Sequence, residues 1–420
     1  MEVVTSKKKA NMKGLMQYRD YSILLMANII SRFGDAIDSI AYGWMVYKLT
    51  GSNLLMGTLF AINALPNVIF GPFAGVIADR YDKKKLIIIG YTGRGIIVSL
   101  TAMLFFIGLL EPWHLFIFTI INSTLETITA PVFTSITPLI IPRELYLTAN
   151  SFSTSAYKFA ELVGMGAAGV IIGLLGISGA LIIDGVTFFI AAFLIMLMKI
   201  KHESTVEGKI NAKEYVNDLK EAFNFVKKSY LIRTALILFA IVNFCLAPIN
   251  VLMPAFVNDV LKSGVEMLSF LGIALSVGMI IGGVLVGQFG NRFKNHISIS
   301  FGLVFFGLSY SILFIPGNII PWGIYSNIIA IAAFFLLGFV IPIMSAPITT
   351  NIMLNTDKDM IGRVSSFMAM MSYCAIPLGS SITGAVSEIM PMAIIFAIMG
   401  GIIILVGLRM MLNKKFKEAA

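Results

Sequence analysis

Three carboxylates lie inside long apolar stretches of this sequence, where an ionised side chain needs a partner or a function. Asp35 and Asp38 stand three residues apart in the first stretch, and Glu126 stands in the fourth. A charge at the centre of a bilayer costs about 2.5–3.5 kcal/mol even on the mildest scale. Carboxylates that cluster away from water hold protons more readily than carboxylates in water do. The sequence therefore predicts that these acids bind and release protons.

Further polar side chains follow the acids at helical spacing. In the first apolar stretch, steps of three and four residues produce the series Arg32, Asp35, Asp38 and Tyr42. In the fourth stretch, Asn122 precedes Glu126 by four residues. Residues at this spacing share one face of a helix, and a rise of about 1.5 Å per residue puts Asp35 and Glu126 near the membrane midplane. These two polar faces are the candidates for a site that binds substrate and protons.

Four other charges inside apolar stretches have a simpler explanation. Lys158 and Glu161 are three residues apart and can neutralise each other on one helix. Arg94 and Asp184 can pair across the third and sixth stretches. We predict structural roles for all four. Even if the arginine of the first stretch neutralises a neighbouring acid, at least one acid of the candidate site still lacks a basic partner.

The second half of the chain carries no charge inside its apolar stretches. Its candidate cavity residues are Asn243 and Asn250, seven residues apart, together with the flexible apolar side chains of Met344 and Met353. Acids on one wall and amides, methionines and aromatic rings on the other suit a bulky amphiphilic substrate, including a cationic one. Methionine and phenylalanine are also common lipid-facing residues, so a purely structural interpretation stays open.

The elements that carry these residues are predicted to be membrane-spanning helices. Of the 420 residues, 58% are hydrophobic and 13% charged, and the mean hydropathy is +0.89. Soluble domains carry about 25% charged residues, and a spanning helix needs about 20 apolar residues. The sequence thus predicts an all-α polytopic membrane protein with twelve transmembrane helices in two six-helix halves. The predicted spans lie near residues 20–48, 54–78, 85–109, 114–138, 147–175, 178–199, 231–258, 266–290, 297–315, 322–350, 363–386 and 391–412.

Basic loop residues give these spans an orientation. With both termini on the inner side, nearly all loop lysines and arginines fall inside, and Lys48 and Lys262 are the exceptions. This asymmetry follows the positive-inside rule and predicts a multi-pass protein of the cell membrane with both termini cytoplasmic. We predict three regions: an N-terminal six-helix bundle (1–199), a cytoplasmic amphipathic linker (200–230) and a C-terminal six-helix bundle (231–420).

The two halves also repeat each other. Gly75 to Arg80 reads G-x-x-x-D-R, and Gly287 to Arg292 reads G-x-x-x-N-R, each after the second predicted span of its half. Parallel repeats of this kind are typical of transporters whose binding site lies between two bundles near the midplane.

The segment from Gly75 to Lys85 resembles the signature of the major facilitator superfamily between spans two and three. Around it, residues 30–35 (Ile-Ser-Arg-Phe-Gly-Asp), 49–52 (Leu-Thr-Gly-Ser) and 184–189 (Asp-Gly-Val-Thr-Phe-Phe) are similar to the branch that holds the macrolide-efflux permeases and the enterobactin exporter. The resemblance covers nearly the whole chain. It implies a twelve-helix fold that works by alternating access, with spans one, four, seven and ten lining the cavity.

The signature segment and its repeat predict a conformational latch. A carboxylate at the end of span two can cap a neighbouring helix, and the basic residues can contact carboxylates or lipid at the inner surface. The second copy has an asparagine where the first has an aspartate, so we expect a stronger latch in the first half. The predicted latch residues are Gly75, Asp79, Arg80, Lys83, Asn291 and Arg292.

These patterns favour a proton-coupled exporter of hydrophobic or amphiphilic small molecules, driven by the proton gradient without a cofactor. An importer or facilitator of a small nutrient is the alternative, because the same fold supports it. The sequence offers no phosphate-binding glycine loop, histidine cluster or nucleophile constellation that would favour an enzyme. We also expect contacts with membrane lipids, a monomeric state and no nucleic-acid partner. Cys245 and Cys374 lie in apolar stretches, so neither a disulfide nor a metal site is predicted.

Overall fold

The computed structural model describes residues 12–200, 223–227, 229–289, 295–354, 356 and 361–419. Within those ranges the chain is almost wholly helical, and its one β contact is an isolated bridge between Pro316 and Ile320. The predicted all-α class is confirmed. Most of the predicted amphipathic linker lies outside the described residues, and of it residues 223–227 form a helical segment.

Helices α1 to α5 build the first half of the chain. Their bounds are Arg19–Thr50 (α1), Asn53–Arg80 (α2), Lys83–Phe106 (α3), Pro112–Ile140 (α4) and Tyr146–Met196 (α5). Asp82 caps α3, because its side chain accepts a hydrogen bond from the backbone N–H of Lys85 at 3.1 Å. Such a cap satisfies one of the N–H groups that the start of a helix leaves unpaired.

Helix α5 contains both the fifth and the sixth predicted spans. A straight helix of its 51 residues would be about 77 Å long, far more than the bilayer core of about 30 Å. Gly176 interrupts it with a φ of +72°, a conformation that glycine adopts without the steric cost of a Cβ. The interruption divides α5 into a first arm, residues 146–175, and a second arm, residues 177–196.

Helices α6 to α11 build the second half. Their bounds are Tyr230–Ala255 (α6), Val265–Phe289 (α7), Asn295–Ser311 (α8), Ile324–Leu354 (α9), Ile361–Ser387 (α10) and Met392–Leu412 (α11). In the part of the chain that the structure describes, nine helices are long and apolar enough to cross a membrane. Helix α1 is not one of them, because charged residues interrupt its apolar run. The count of twelve spans stays a prediction.

Contacts divide the chain into two compact units. Unit 1 comprises Met1–Tyr42 and Ile69–Ile210, and unit 2 comprises Gly43–Val68 and Asn211–Ala420. The predicted regions are consecutive along the chain, whereas these units are defined by contacts and assign the adjoining ends of α1 and α2 to unit 2. The predicted division at the linker therefore remains a prediction.

Polar contacts at the end of α1 belong to unit 2. Lys48 Nζ donates to Asn258 Oδ1 at 2.9 Å, and the Tyr47 hydroxyl donates to the Asp259 carboxylate. Asn258 and Asp259 lie in a π-helical turn, Phe256–Val260, that follows α6. These contacts hold the predicted outer end of α1 against the second half of the chain.

Helices α7 and α9 pack so closely that only glycine fits at several contacts. A Cβ on Gly338 of α9 would overlap the backbone carbonyl oxygen of Leu275 on α7. Gly282 of α7 meets the backbone of Phe339 in the same way. Small residues at helix contacts allow this approach in membranes, where packing rather than hydrophobicity drives association.

We predict that Gly338→Ala lowers the thermal unfolding midpoint of the purified protein in detergent. The added methyl group meets backbone that cannot rotate away, and overpacking of this kind costs about 1–3 kcal/mol. Gly283→Ala on α7 is the matched control, since a Cβ there meets open space. Equal midpoints for the two variants would contradict the described packing of α7 on α9.

Candidate functional site

Arg94 of α3 is the centre of a buried cluster of charges in unit 1. Its Nη2 donates to Asp35 Oδ1 of α1 at 2.8 Å and lies 3.9 Å from Glu126 Oε2 of α4. The Arg94 side chain is only 11% exposed. A guanidinium keeps its charge in proteins, so its burial requires anions. The two carboxylates supply them.

Two further contacts orient the guanidinium. Arg94 Nε donates to Asn122 Oδ1 of α4 at 3.2 Å, one helical turn before Glu126. On another side, the ring centre of Phe188 lies 4.3 Å from the guanidinium carbon, which is a cation–π contact. Phe188 belongs to the second arm of α5. Arg94 thus joins α3 to three other helical segments.

Asp35 has a second cationic partner on its own helix. Arg32 Nη1 lies 3.6 Å from Asp35 Oδ2, a neighbour that their spacing of three residues on one helix allows. The Arg32 side chain is 48% exposed, and exposed ion pairs contribute only about 0–1 kcal/mol. Arg94 lies nearer to Asp35 than Arg32 does and is more deeply buried, so Arg94 is the stronger partner of Asp35.

Asp38 is the acid of the predicted cluster that lacks an ion pair. It lies half-buried one turn after Asp35 on α1. Among the described residues, no cation lies within 4.0 Å of its carboxylate. Arg94, Asp35 and Glu126 act on it only at longer range. The sequence predicted one such acid without identifying it, and the structure identifies Asp38.

Neutral polar contacts continue the cluster along α1. The hydroxyl groups of Tyr42 and Thr119, on α1 and α4, share a hydrogen bond of 2.7 Å. Nearer the start of α1, the Tyr91 hydroxyl of α3 donates to Asn28 Oδ1 at 3.3 Å and lies 3.2 Å from Ser31 Oγ. These contacts fix the rotation of α1 against α3 and α4, which determines where its acids lie.

The structure pairs Arg94 with acids other than the one expected. The sequence analysis paired it with Asp184, but its carboxylates within 4.0 Å in the described part of the chain are Asp35 and Glu126. Helical spacing predicts neighbours on one helix, whereas a pair between helices depends on how each helix is rotated. The expected pair of Arg94 with Asp184 is therefore replaced by pairs with Asp35 and Glu126, and the predicted structural role of Arg94 stays a prediction.

Lys158 and Glu161 form the pair predicted from their spacing. Lys158 Nζ donates to Glu161 Oε2 at 2.7 Å on the first arm of α5. The side chains are 60% and 37% exposed, so this pair differs from the cluster around Arg94, which is buried.

A cavity of about 680 Å³ lies in unit 1 between α1, α4 and the first arm of α5. Its walls combine aromatic rings with hydrogen-bonding groups. Representative lining residues are Asn28, Arg32, Phe133, Tyr146 and Tyr157. Because Arg32 also contacts Asp35, one residue connects the cavity wall with the charge cluster.

The expectation that span five is not a principal wall of the substrate cavity stays a prediction. The first arm of α5 nevertheless lines the cavity of unit 1 through Tyr146, Asn150, Ser153 and Tyr157. Their spacing of four, three and four residues is a polar and aromatic stripe that could have been found in the sequence. Tyr21 of α1, also missed, shares a 2.8 Å hydrogen bond with Ser153.

The candidate residues of the second half lie on α6 and α9 in unit 2. Asn243 Nδ2 donates to the carbonyl oxygen of Phe239 on its own helix at 2.9 Å, and Asn250 is exposed. Met344 of α9 is buried at 3% exposure, and the Met353 side chain lies outside the described part. Their assignment to a substrate cavity stays a prediction.

The predicted latch lies only partly within the described residues. The Asp79 side chain lies outside them, as do Asn291 and Arg292, so the asymmetry between the two copies stays a prediction. Gly75 lies on α2 with open space around its Cβ position. Arg80 Nε is buried and has no hydrogen-bond partner within the described part of the chain.

Two lysines after α2 bind the ends of helices. Lys83 Nζ donates to the carbonyl oxygen of Ala78 at 2.7 Å. Lys84 Nζ donates to the carbonyl oxygens of Met196 and Met198 at 2.8 Å each. Cations stabilise the carbonyl groups that the end of a helix leaves unpaired. Besides following the positive-inside rule, Lys84 fastens the α2–α3 turn to the end of α5, whereas Lys83 binds the end of α2 itself.

Neither cysteine is bonded to another cysteine: Cys245 is a buried free thiol and Cys374 a half-buried one. Across the described ranges, no three histidine, cysteine or acidic side chains gather as metal ligands.

A double-mutant cycle tests the strength of the central pair. We predict that Arg94→Gln and Asp35→Asn, made singly and together, give a coupling energy of about 1–3 kcal/mol in unfolding experiments in detergent. The control cycle uses Lys158→Gln and Glu161→Gln, a pair three residues apart on one helix, for which a coupling of about 0.2–0.5 kcal/mol is usual. A coupling for Arg94 and Asp35 no larger than that of the control would contradict the central role of this pair.

Comparisons with known proteins agree with this fold. A family model described as the Major Facilitator Superfamily matches residues 24–380. Macrolide efflux protein A of Streptococcus pyogenes is 24% identical over 355 residues, covering 83% of this chain and 85% of that protein. Multidrug efflux pump Tap of Mycolicibacterium fortuitum is 20% identical over 374 residues, covering 87% and 88%.

Solved structures share the architecture. The crystal structure of nucleoside transporter NupG aligns with a TM-score of 0.74 at 14% identity, covering 94% of this chain and 99% of that one. A bacterial homologue of the human lysosomal transporter Spinster, in an inward-facing and unoccupied conformation, aligns with a TM-score of 0.70 at 14% identity, covering 97% and 98%. At such identities the likeness concerns the fold alone. Since the family model matches most of the sequence and the helical fold agrees with it, this chain is a multi-pass membrane transporter, not an enzyme, and belongs to the Major Facilitator Superfamily.

Proposed function

We propose that this protein is a proton-coupled exporter of hydrophobic or amphiphilic small molecules. The observation that carries the proposal is the position of Arg32, which lines the cavity and also contacts Asp35. A molecule in the cavity and a proton in the acid cluster therefore act on the same side chain. Such a shared group gives binding of one ligand a means to change the affinity for the other.

The cavity suits a molecule with an apolar body and a few hydrogen-bonding groups. Its volume of about 680 Å³ falls within the range of about 300–1,000 Å³ that is usual for pockets that bind drug-sized ligands. Phe133, Tyr146 and Tyr157 offer aromatic faces, while Asn28 and Asn150 offer amide groups. Tyrosine serves both purposes, because it combines an aromatic ring with a hydroxyl group.

Asp38 is the proposed proton carrier. Asp35 is held by Arg94 at 2.8 Å, so a proton that binds Asp35 must first break a buried ion pair. Asp38 has no such partner among the described residues. Glu126 is held less closely than Asp35, since its Oε2 lies 3.9 Å from Arg94 Nη2. We propose that Asp38 takes the proton from outside, with Glu126 as its neighbour across the cluster.

The relatives support export and a substrate class. One is named for macrolide efflux and another as a multidrug efflux pump. We propose that macrolide-like amphiphiles, which are large and mostly apolar with polar groups, are substrates of this chain as well. Membrane lipids would surround the apolar helix faces, and we propose that the protein acts as a monomer in the cell membrane with both termini in the cytoplasm.

Asp38→Asn is expected to reduce proton-driven efflux of a macrolide from proteoliposomes by about tenfold or more. The amide cannot bind a proton, but it keeps the size and the hydrogen-bonding ability of the acid. Downhill equilibration of the same macrolide should survive, because it needs no proton. Glu161→Gln is the matched control, and it should transport as the unmodified protein does. Normal uphill efflux in Asp38→Asn would contradict the proposed proton carrier.

The direction of transport separates an exporter from an importer. In cells, a protonophore should raise the accumulation of a macrolide or a cationic dye when this protein is expressed, because export loses its driving force. Cells that carry Asp38→Asn should show high accumulation with and without the protonophore. A fall in accumulation on adding the protonophore to cells with the unmodified protein would instead favour import.

A further inference from the structure

Asp184 is a fully buried carboxylate that the proposed mechanism does not use. It lies on the second arm of α5 with 0% exposure. Its Oδ2 has no hydrogen-bond partner among the residues that the structure describes. Gly34 of α1 packs directly against it, since a Cβ on Gly34 would overlap both Asp184 Oδ1 and Thr187 Oγ1. No cation lies within 4.0 Å of it in the same described ranges.

The hydrogen bonds around Asp184 offer its carboxylate one distant donor, which a second acceptor shares. The polar side chain that contacts it among the described residues is that of Thr187, whose Oγ1 lies 3.3 Å from Asp184 Oδ1. The same hydroxyl lies 2.7 Å from the Asp184 backbone carbonyl oxygen. A threonine hydroxyl has a single proton, and the shorter contact is the one that receives it. A carboxylic acid at Asp184 resolves this conflict, because its O–H can donate to the free lone pair of Thr187 Oγ1.

Burial makes the neutral acid the favourable form. An isolated ionised carboxylate in a medium of low polarity is so unfavourable that the group takes up a proton instead. The charged groups that act on Asp184 are Asp35 and Asp38 of α1 and Arg94 of α3. The two acids repel a negative charge there, and Arg94 is already bound to Asp35.

Arg94 connects Asp184 with Asp35. Phe188, which supports the Arg94 guanidinium at 4.3 Å, lies one helical turn after Asp184 on the same face of α5. Gly34, which packs on Asp184, directly precedes Asp35 on α1. The two carboxylates thus lie on different helices, and the charge of one guanidinium, that of Arg94, acts on both.

We propose that Asp184 is a second proton-binding residue, neutral while Arg94 is bound to Asp35, and the alternative anion for Arg94. When the proton that Asp38 takes up passes on to Asp35, Asp35 becomes a neutral acid and Arg94 loses its anion. Asp184 then releases its own proton and pairs with Arg94. One proton enters at Asp35 and one leaves at Asp184, so the charge of the cluster is unchanged. The use of this exchange in transport rests on the proposed proton coupling, whereas the protonation of Asp184 does not.

Infrared spectroscopy of the purified protein in detergent tests the neutral acid without substrate or transport. The spectrum of the unmodified protein minus that of Asp184→Asn should contain the C=O band of a protonated carboxylic acid at neutral pH. A difference spectrum that contains only carboxylate bands would overturn the proposal. Glu161→Gln is the control, and its exposed ion-paired acid should contribute carboxylate bands.

A second variant keeps the test decisive if Asp184→Asn does not fold. Thr187→Val removes the proposed acceptor of the Asp184 O–H, so the acid C=O band should shift to higher frequency. If the C=O bands of protonated acids had the same frequencies in Thr187→Val as in the unmodified protein, the assignment would be overturned.

Asp35→Asn tests the exchange itself, because its neutral amide imitates protonated Asp35. In this background the acid band of Asp184 should disappear as Arg94 takes Asp184 for its anion. Persistence of that band would overturn the exchange. These results are independent of efflux, so a failure here is distinguishable from a failure of the proposed proton-coupled export.

Discussion

A guanidinium buried among helices is the interaction on which the candidate site depends. Arg94 keeps its charge, so the interior must supply an anion, and Asp35 does so at 2.8 Å. Removing one partner of a buried ion pair costs about 3–5 kcal/mol, because the other charge is left uncompensated. Whatever neutralises Asp35 therefore forces Arg94 towards another carboxylate. Glu126, 3.9 Å away on α4, and Asp184 on the second arm of α5 are the acids around it that can respond.

This constraint links proton binding to helix packing. Asp35, Glu126 and Asp184 lie on three different helical segments, so a change of partner changes which segments Arg94 holds together. Packed helices have few alternative arrangements, and a small shift in such a contact can bias one arrangement over another. Arg32 extends the link to the cavity, since it lines the wall and contacts Asp35. In the proposed coupling, substrate and protons influence each other through these contacts.

Sequence reasoning was successful where a feature belongs to one helix. The pairs Lys158–Glu161 and Arg32–Asp35 follow from their spacing alone, and the break at Gly176 lies between the predicted spans five and six. It failed for Arg94, because its partner depends on helix rotation, which close contacts such as Gly34 against Asp184 determine. The stripe from Tyr146 to Tyr157 was present in the sequence but was not recognised, because the family resemblance implied other spans as cavity walls.

The most direct test of coupling is the release of protons when substrate binds. A macrolide added to the purified protein in weakly buffered detergent solution should acidify the medium, since substrate and protons exchange at the cluster around Arg94. The release should diminish in Asp38→Asn and persist in Glu161→Gln. Macrolide binding that releases no protons from the unmodified protein, or equal release from Asp38→Asn, would contradict proton exchange through this cluster.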